Sequence, residues 1–160
     1  MNAEFLGAVS QTLMFPNSDQ KCADRFRLER FVQAQHSIYK RVLWELQAGE
    51  KESHWMWFIF PQIRGLGSSP TSIEFAISGR DEALSYLQHP VLGPRLKECT
   101  SLVLQVEGRS ALDIFGEPDD MKFRSSMTLF AKVSSGDDIF ERALQKYFDG
   151  VPDQLTIDRL

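Results

Sequence analysis

Along most of the chain, apolar side chains recur at helical spacing, every three or four positions. Phe26, Phe31, Ile38, Val42 and Leu46 form one stripe, and Leu28, Val32, Tyr39 and Leu43 widen it. With Asp24 as a cap and Gly49 just past the end, the pattern predicts one helix of about seven turns. Its outer face carries Arg27, Arg30, Lys40 and Arg41, which read as a solvated surface. The next apolar run, Trp55 to Phe60, is apolar on every side, so periodicity does not separate a buried strand from a buried helix. Its helical neighbours favour a short helix, which Ser53 can cap and Pro61 ends.

Further elements follow at short intervals. Ser69 and Pro70 open a helix that would bury Ile73, Phe75, Ala76 and Ile77. Asp81 caps another with Ala83, Leu84 and Leu87 inside, and His89-Pro90 breaks it. Leu92, Leu96, Cys99, Val103 and Val106 make a stripe ending at Gly108. Ser110 caps a single turn closed by Gly116. Pro118-Asp119-Asp120 starts a helix with Phe123, Met127, Phe130 and Ala131 inward, its acids placed where the helix dipole favours them. Asp137 or Asp138 starts the next, through Phe148, and Asp153 caps a last short one. The expectation is an all-α fold: a single compact multihelical domain of about seven to nine helices, over residues 24–160.

Residues 1–23 stand apart as an N-terminal extension. Phe5, Leu6, Val9 and Leu13 share a helical face, but Pro16-Asn17-Ser18-Asp19 interrupts it. The extension reads as a flexible tail, with a short docking helix as the other reading.

Composition changes this picture little. The 160 residues are 42% hydrophobic and 25% charged, an ordinary globular balance. Twelve phenylalanines point to a core built on rings. A formal net charge of -4 disfavours nucleic acid as the main partner. The longest apolar run is too short to cross a membrane, and nothing near the start resembles a basic targeting region. Cys22 and Cys99 lack metal-ligand spacing and suit a reducing compartment, so the expected location is cytoplasmic.

Two segments carry candidate chemistry. Ser53 to Gly67, SHWMWFIFPQIRGLG, holds two of the three tryptophans, a histidine and a glycine loop. It is either the wall of a pocket or the most crowded part of a core. As a pocket, His54 is a candidate general base, Trp57 a wall, and Arg64 with the glycine loop a place for an anion. The second segment, Phe115 to Met127, sets Asp119 beside Lys122 and Arg124 at a helix start, where a carboxylate, a ribose or a phosphate could be handled. The proposed set is therefore His54 and Asp119 as catalytic groups, with Trp57, Arg64, Lys122 and Arg124 binding ligand. Three isolated histidines spell no metal site, and no cofactor motif is present.

Several blocks of the chain, RFVQAQHSIYKRVLWELQAGEKESHWMWFIFPQIRGLG, HPVLGPRLKEC, EGRSALDIFGEPDDMKFRSSMTLF and YFDGVPDQLTIDRL, closely resemble the domain of unknown function 1810 family over residues 24–160. The resemblance implies a compact multihelical fold and no particular activity. Members sometimes bear the label calpastatin, which sits badly with a packed chain because calpastatin inhibitors are largely disordered. A fainter likeness, without residue-by-residue matches, is to the NADAR family, helical proteins that act on ADP-ribosylated substrates. The functional expectation is a binder or hydrolase of a nucleotide-like or ADP-ribose-like small molecule. The alternative is a non-enzymatic protein-interaction module in which HWMWF is structural core.

Overall fold

The computed structural model describes residues 25–160. The expected cap at Asp24, the thiol of Cys22 and the extension lie outside these residues. Ten helices follow one another: α1 Glu29–His36, α2 Tyr39–Ala48, α3 Met56–Ile59, α4 Pro70–Glu74, α5 Arg80–Gln88, α6 Leu92–Gln105, α7 Ala111–Phe115, α8 Asp119–Val133, α9 Ile139–Phe148 and α10 Gln154–Ile157. Strand pairing among the described residues is limited to one parallel bridge, Ile63 with Ile77. The fold is all-α.

Helix α8 is the central post. It packs against α3, α5, α7, α9 and α10, while α6 packs against α2, α5 and α9. Helix α8 buries eight of its fifteen residues, well beyond one stripe, and three of the eight are the small polar Ser125, Ser126 and Thr128. Phe123 on α8 is fully buried and meets four rings: Phe60, Phe115, Tyr147 and Phe148. A second chain of rings runs from Phe140 through Phe130, Tyr86 and Phe31 to Phe75 and Phe58. Such tilted and edge-on pairs add about 0.5–1.5 kcal/mol each beyond the area they bury.

The long first helix expected from the apolar stripe is two helices. The break falls at Ser37 and Ile38, where the Ile38 N–H bonds the Gln35 carbonyl three residues back. The two halves serve different partners: α1 packs on α3 and α2 on α6. Gln35 anchors the end of α1 by donating to the Phe58 carbonyl at 2.6 Å and to the Tyr86 hydroxyl at 3.2 Å. Tyr39 anchors the start of α2 to Glu98 on α6. Apolar spacing alone continues through the break and does not reveal it.

Arg30 is no solvated face residue. Its side chain is 12% exposed and pairs with the buried Glu82 at 2.7 Å. It also donates to the carbonyls of Phe26, Arg27, Glu74 and Ala76, which ties the start of the described chain to the segment after α4. Ile73, expected inside, is 65% exposed, because α4 ends at Glu74 and the chain dives into the core only at Ile77. Ser53 caps nothing; it serves Glu45 instead. Helix α5 starts from Gly79 without a side-chain cap, and Asp81 lies within its first turn. No helix among the described residues is long and apolar enough to cross a membrane.

Candidate functional site

The HWMWF segment divides by position. Trp55, Met56, Ile59 and Phe60 are buried to within 1% of complete, whereas Trp57 and Phe58 are half-buried. Trp55 is held by Glu45, a fully buried carboxylate at the end of α2. Glu45 accepts from the Trp55 indole N–H at 2.7 Å, the Glu52 N–H at 2.9 Å, the Ser53 N–H at 3.1 Å and the Ser53 hydroxyl. Burial, the largest single influence, pushes the Glu45 carboxyl up, but these bonds together outweigh it and hold it below the usual carboxylate range. Trp55 is thus core, pinned by a charge.

Trp57 faces the other way, into a cavity of about 620 Å³. Three stretches converge there. The loop Gln62 to Gly67 runs past it, α4 with Phe75 and Ala76 forms one side, and Pro118, Met121, Lys122 and Ser125 of the α8 start form another; Asp153 and Leu155 close it. The loop is fixed by a pair of backbone bonds, Arg64 N–H to Ile77 O and Ile77 N–H to Gln62 O, both 2.8 Å. Gly65 has φ +96, a conformation that side chains beyond glycine rarely adopt. A Cβ there would also fall 2.9 Å from Arg159 Nε, so that guanidinium lies against the loop. Ser69 caps α4 through the Ser72 N–H at 3.1 Å, as its position before Pro70 predicts.

The charges in the cavity are unequally committed. Lys122 lies over the Trp57 ring, 5.0 Å from its centroid, and pairs with Asp119 at 3.3 Å. The Arg64 side chain is exposed and has no hydrogen-bond or ion-pair partner among the described residues. Asp153 is the one carboxylate lining the cavity. Its Oδ2 already accepts from the Ser125 hydroxyl at 3.0 Å and from the Thr156 N–H and hydroxyl, so it is the cap of α10. The Trp57 Nε1 is buried without a partner.

Of the residues singled out from sequence, Trp57, Arg64 and Lys122 line this cavity together. The other three do not line it. His54 is exposed just ahead of α3. Asp119 is held between two lysines, Lys51 at 2.8 Å and Lys122 at 3.3 Å, with one on each oxygen. Arg124 clamps the chain after α9, donating to the Val151 carbonyl at 2.9 Å and the Pro152 carbonyl at 3.1 Å. Sequence reasoning missed Gln62, Ser72, Ser125 and Asp153 as wall residues and Arg159 as a neighbour of the loop. The one signal available for Ser125 was its place one turn past Met121 and Lys122 on the same helix. Among the described residues, no cluster of three or more His, Cys, Asp or Glu side chains is gathered that could hold a metal ion.

Comparison with curated proteins finds no match. Among solved structures, the chain is similar to the crystal structure of the conserved hypothetical protein Rv1873 from Mycobacterium tuberculosis, at 55% identity and a TM-score of 0.85. The likeness covers 86% of this chain and 98% of that one. The family described as protein of unknown function (DUF1810) matches residues 25–160, all of the described residues, and the chain belongs to that family.

Proposed function

We propose that the protein binds a small, anionic, nucleotide-like molecule in the cavity walled by Trp57. The observation that carries this reading is the convergence of Trp57, Arg64 and Lys122, distant in sequence, on one cavity of about 620 Å³. Small-molecule sites run from roughly 300 to 1,000 Å³ and combine apolar walls with a few placed polar groups. Here Ile63, Leu66 and Phe75 supply the walls, and Gln62, Ser72 and Ser125 the hydrogen-bonding groups. Arg64 offers a fork suited to a phosphate or carboxylate. The proposal is binding alone: Asp153 is occupied as a cap, and neither His54 nor Asp119 lines the cavity, so no acid–base pair stands over it.

A thermal-shift panel of NAD, ADP-ribose, nucleotides and sugar phosphates tests the reading. A ligand at a hundred times its Kd stabilises by about 2.7 kcal/mol, which raises Tm by roughly 5–10 °C for a domain of this size. The expected result is a shift that Arg64→Ala abolishes and Arg124→Ala retains. A flat panel, or a shift that survives Arg64→Ala and Lys122→Ala, overturns it.

A further inference from the structure

Two sets of polar groups in the cavity are one-sided. Arg64 and Lys122 only donate hydrogen bonds, as cations do. The corner where α8 meets the chain entering α10 only accepts them. Asp153 and Ser125 line the cavity there. The Asp153 Oδ2 takes the Ser125 hydroxyl at 3.0 Å and both the N–H and the hydroxyl of Thr156. Its Oδ1 has no partner among the described residues and is not buried. The Ser125 hydroxyl has one proton and two acceptors for it, Asp153 Oδ2 and the Met121 carbonyl at 3.1 Å. Only lone pairs on its oxygen remain for a ligand.

This acceptor corner is held in place from several sides. Thr128, one turn beyond Arg124 on α8, accepts from the Asp153 N–H at 2.9 Å and donates to the Arg124 carbonyl at 2.9 Å. Arg124 in turn holds the carbonyls of Val151 and Pro152. The chain from Val151 to Asp153 is thus fastened to α8, and the carboxylate is fastened at one oxygen by three donors. A group oriented before its ligand arrives loses little freedom on binding. Capping α10 uses Oδ2 alone and leaves the second oxygen, beside Ser125 on a cavity wall, without a task. Its neighbours along the two helices, Met121 and Leu155, are apolar and form the exposed rim together with Ile73.

We infer that Asp153 and Ser125 select a ligand with two adjacent hydroxyls, the vicinal diol of a ribose whose phosphate is taken by Arg64. The inference rests on the reading of the cavity as a site for an anionic small molecule and names what else that molecule carries. Hydroxyls on neighbouring carbons present two donors side by side. Asp153 Oδ1 and the Ser125 oxygen are two acceptors side by side, joined through Asp153 Oδ2. The same pair turns a phosphate away, because a carboxylate repels an anion and has no proton to offer it. The ligand is therefore oriented, with its phosphate at Arg64 and its sugar at Asp153. Phosphate without sugar, or sugar without phosphate, satisfies one half of the cavity only.

Calorimetric titration of the full chain with two matched pairs tests it: AMP against 2′-deoxy-AMP, and ribose 5-phosphate against 2-deoxyribose 5-phosphate. The expected preference for the ribose member is about 10- to 100-fold, the range for one hydrogen bond to a charged group. Asp153→Asn keeps an oxygen for the cap and sets a donating amide where Oδ1 accepted, so the preference should vanish. A residue that only caps α10 would change both members alike and keep their ratio. Equal binding of the two members by the unmodified chain overturns the inference while the anion site stands. So does a preference that survives Asp153→Asn, or a loss of both members in that variant. Binding of another phosphate compound when neither pair binds has the same meaning. If nothing binds, the reading of the cavity falls and the inference falls with it. Should Asp153→Asn not fold, Ser125→Ala takes its place, and an undiminished preference there overturns the inference.

Discussion

The ammonium of Lys122 rests 5.0 Å from the centroid of the Trp57 ring, on the wall of the cavity. The side chain is 25% exposed and is steadied by Asp119, so the charge is held in place before any ligand arrives. An indole face and a fixed cation side by side are suited to a molecule with a flat or apolar body and an anionic group.

Replacing Lys122 by Met keeps most of the aliphatic stem and removes the charge. Because the Lys122–Asp119 pair is partly exposed, stability should change by less than about 1 kcal/mol. Binding of a panel hit should weaken by about 2- to 30-fold, the range that corresponds to a cation contact of roughly 0.5–2 kcal/mol. Calorimetric titration of wild type and Lys122→Met measures it, and unchanged affinity would remove Lys122 from the site.

Glu45 carries a different consequence. Glu45→Ala leaves the Trp55 indole, two backbone N–H groups and the Ser53 hydroxyl without their acceptor. The expected loss is about 3–5 kcal/mol. The folded carboxyl is depressed below its usual value of 4.5, so its contribution is fully present above that pH and is lost as pH falls through the folded value. Urea titrations at neutral and acid pH should therefore show the gap between wild type and Glu45→Gln narrowing in acid. A constant gap would mean that the carboxylate's charge plays no part.

Cys99 is buried, and that burial pushes its thiol up to about 12. The folded protein should resist alkylation at this position at pH 8 and react only on opening. A Cys22→Ser background isolates the signal, read by mass spectrometry. With the folded value above the ordinary 9.0, the stabilisation is complete below pH 9.0 and fades as pH rises towards 12. Fast labelling under native conditions would contradict this.

Two glycines should respond very differently to a methyl group. A Cβ on Gly93 would fall 2.0 Å from the Leu87 carbonyl oxygen, and backbone cannot step aside. Gly93→Ala should destabilise by about 3 kcal/mol, the upper end for overpacking. At Gly79 the backbone is extended and nothing lies within 4 Å, so Gly79→Ala should stay within about 0.5 kcal/mol. Thermal melts of both decide.

What could be read beforehand was mostly local. Caps at Ser69, Ser110 and Asp153 stand where the sequence puts them, because a cap is a contract between residues three apart. The stripe Leu92, Leu96, Cys99 and Val103 is buried as its period requires. Non-local matters were hidden. The buried Gln35, Glu45 and Glu82 look like surface residues until distant partners are known. Arg64 and Lys122 could be named as ligand groups by type, but their meeting beside Trp57 depends on how α8 packs. Asp119 and Arg124, chosen by the same chemistry, are engaged by Lys51 and by the backbone of Val151 and Pro152. Ile73 reads as core by hydropathy and is rim by geometry.

Asp119 joins two lysines that each rest on an indole: Lys122 on Trp57, and Lys51 on Trp55 at 5.1 Å. The two rings differ at one atom, since the N–H of Trp55 is bonded to Glu45 and that of Trp57 has no partner. In optical terms the molecule contains an internal standard and a sensor. Trp55 is a sealed fluorophore whose surroundings stay fixed, while Trp57 emits from the cavity wall. With the solvent-facing Trp44 replaced by Phe, the light from the remaining pair becomes a built-in gauge of whether that cavity is empty or full.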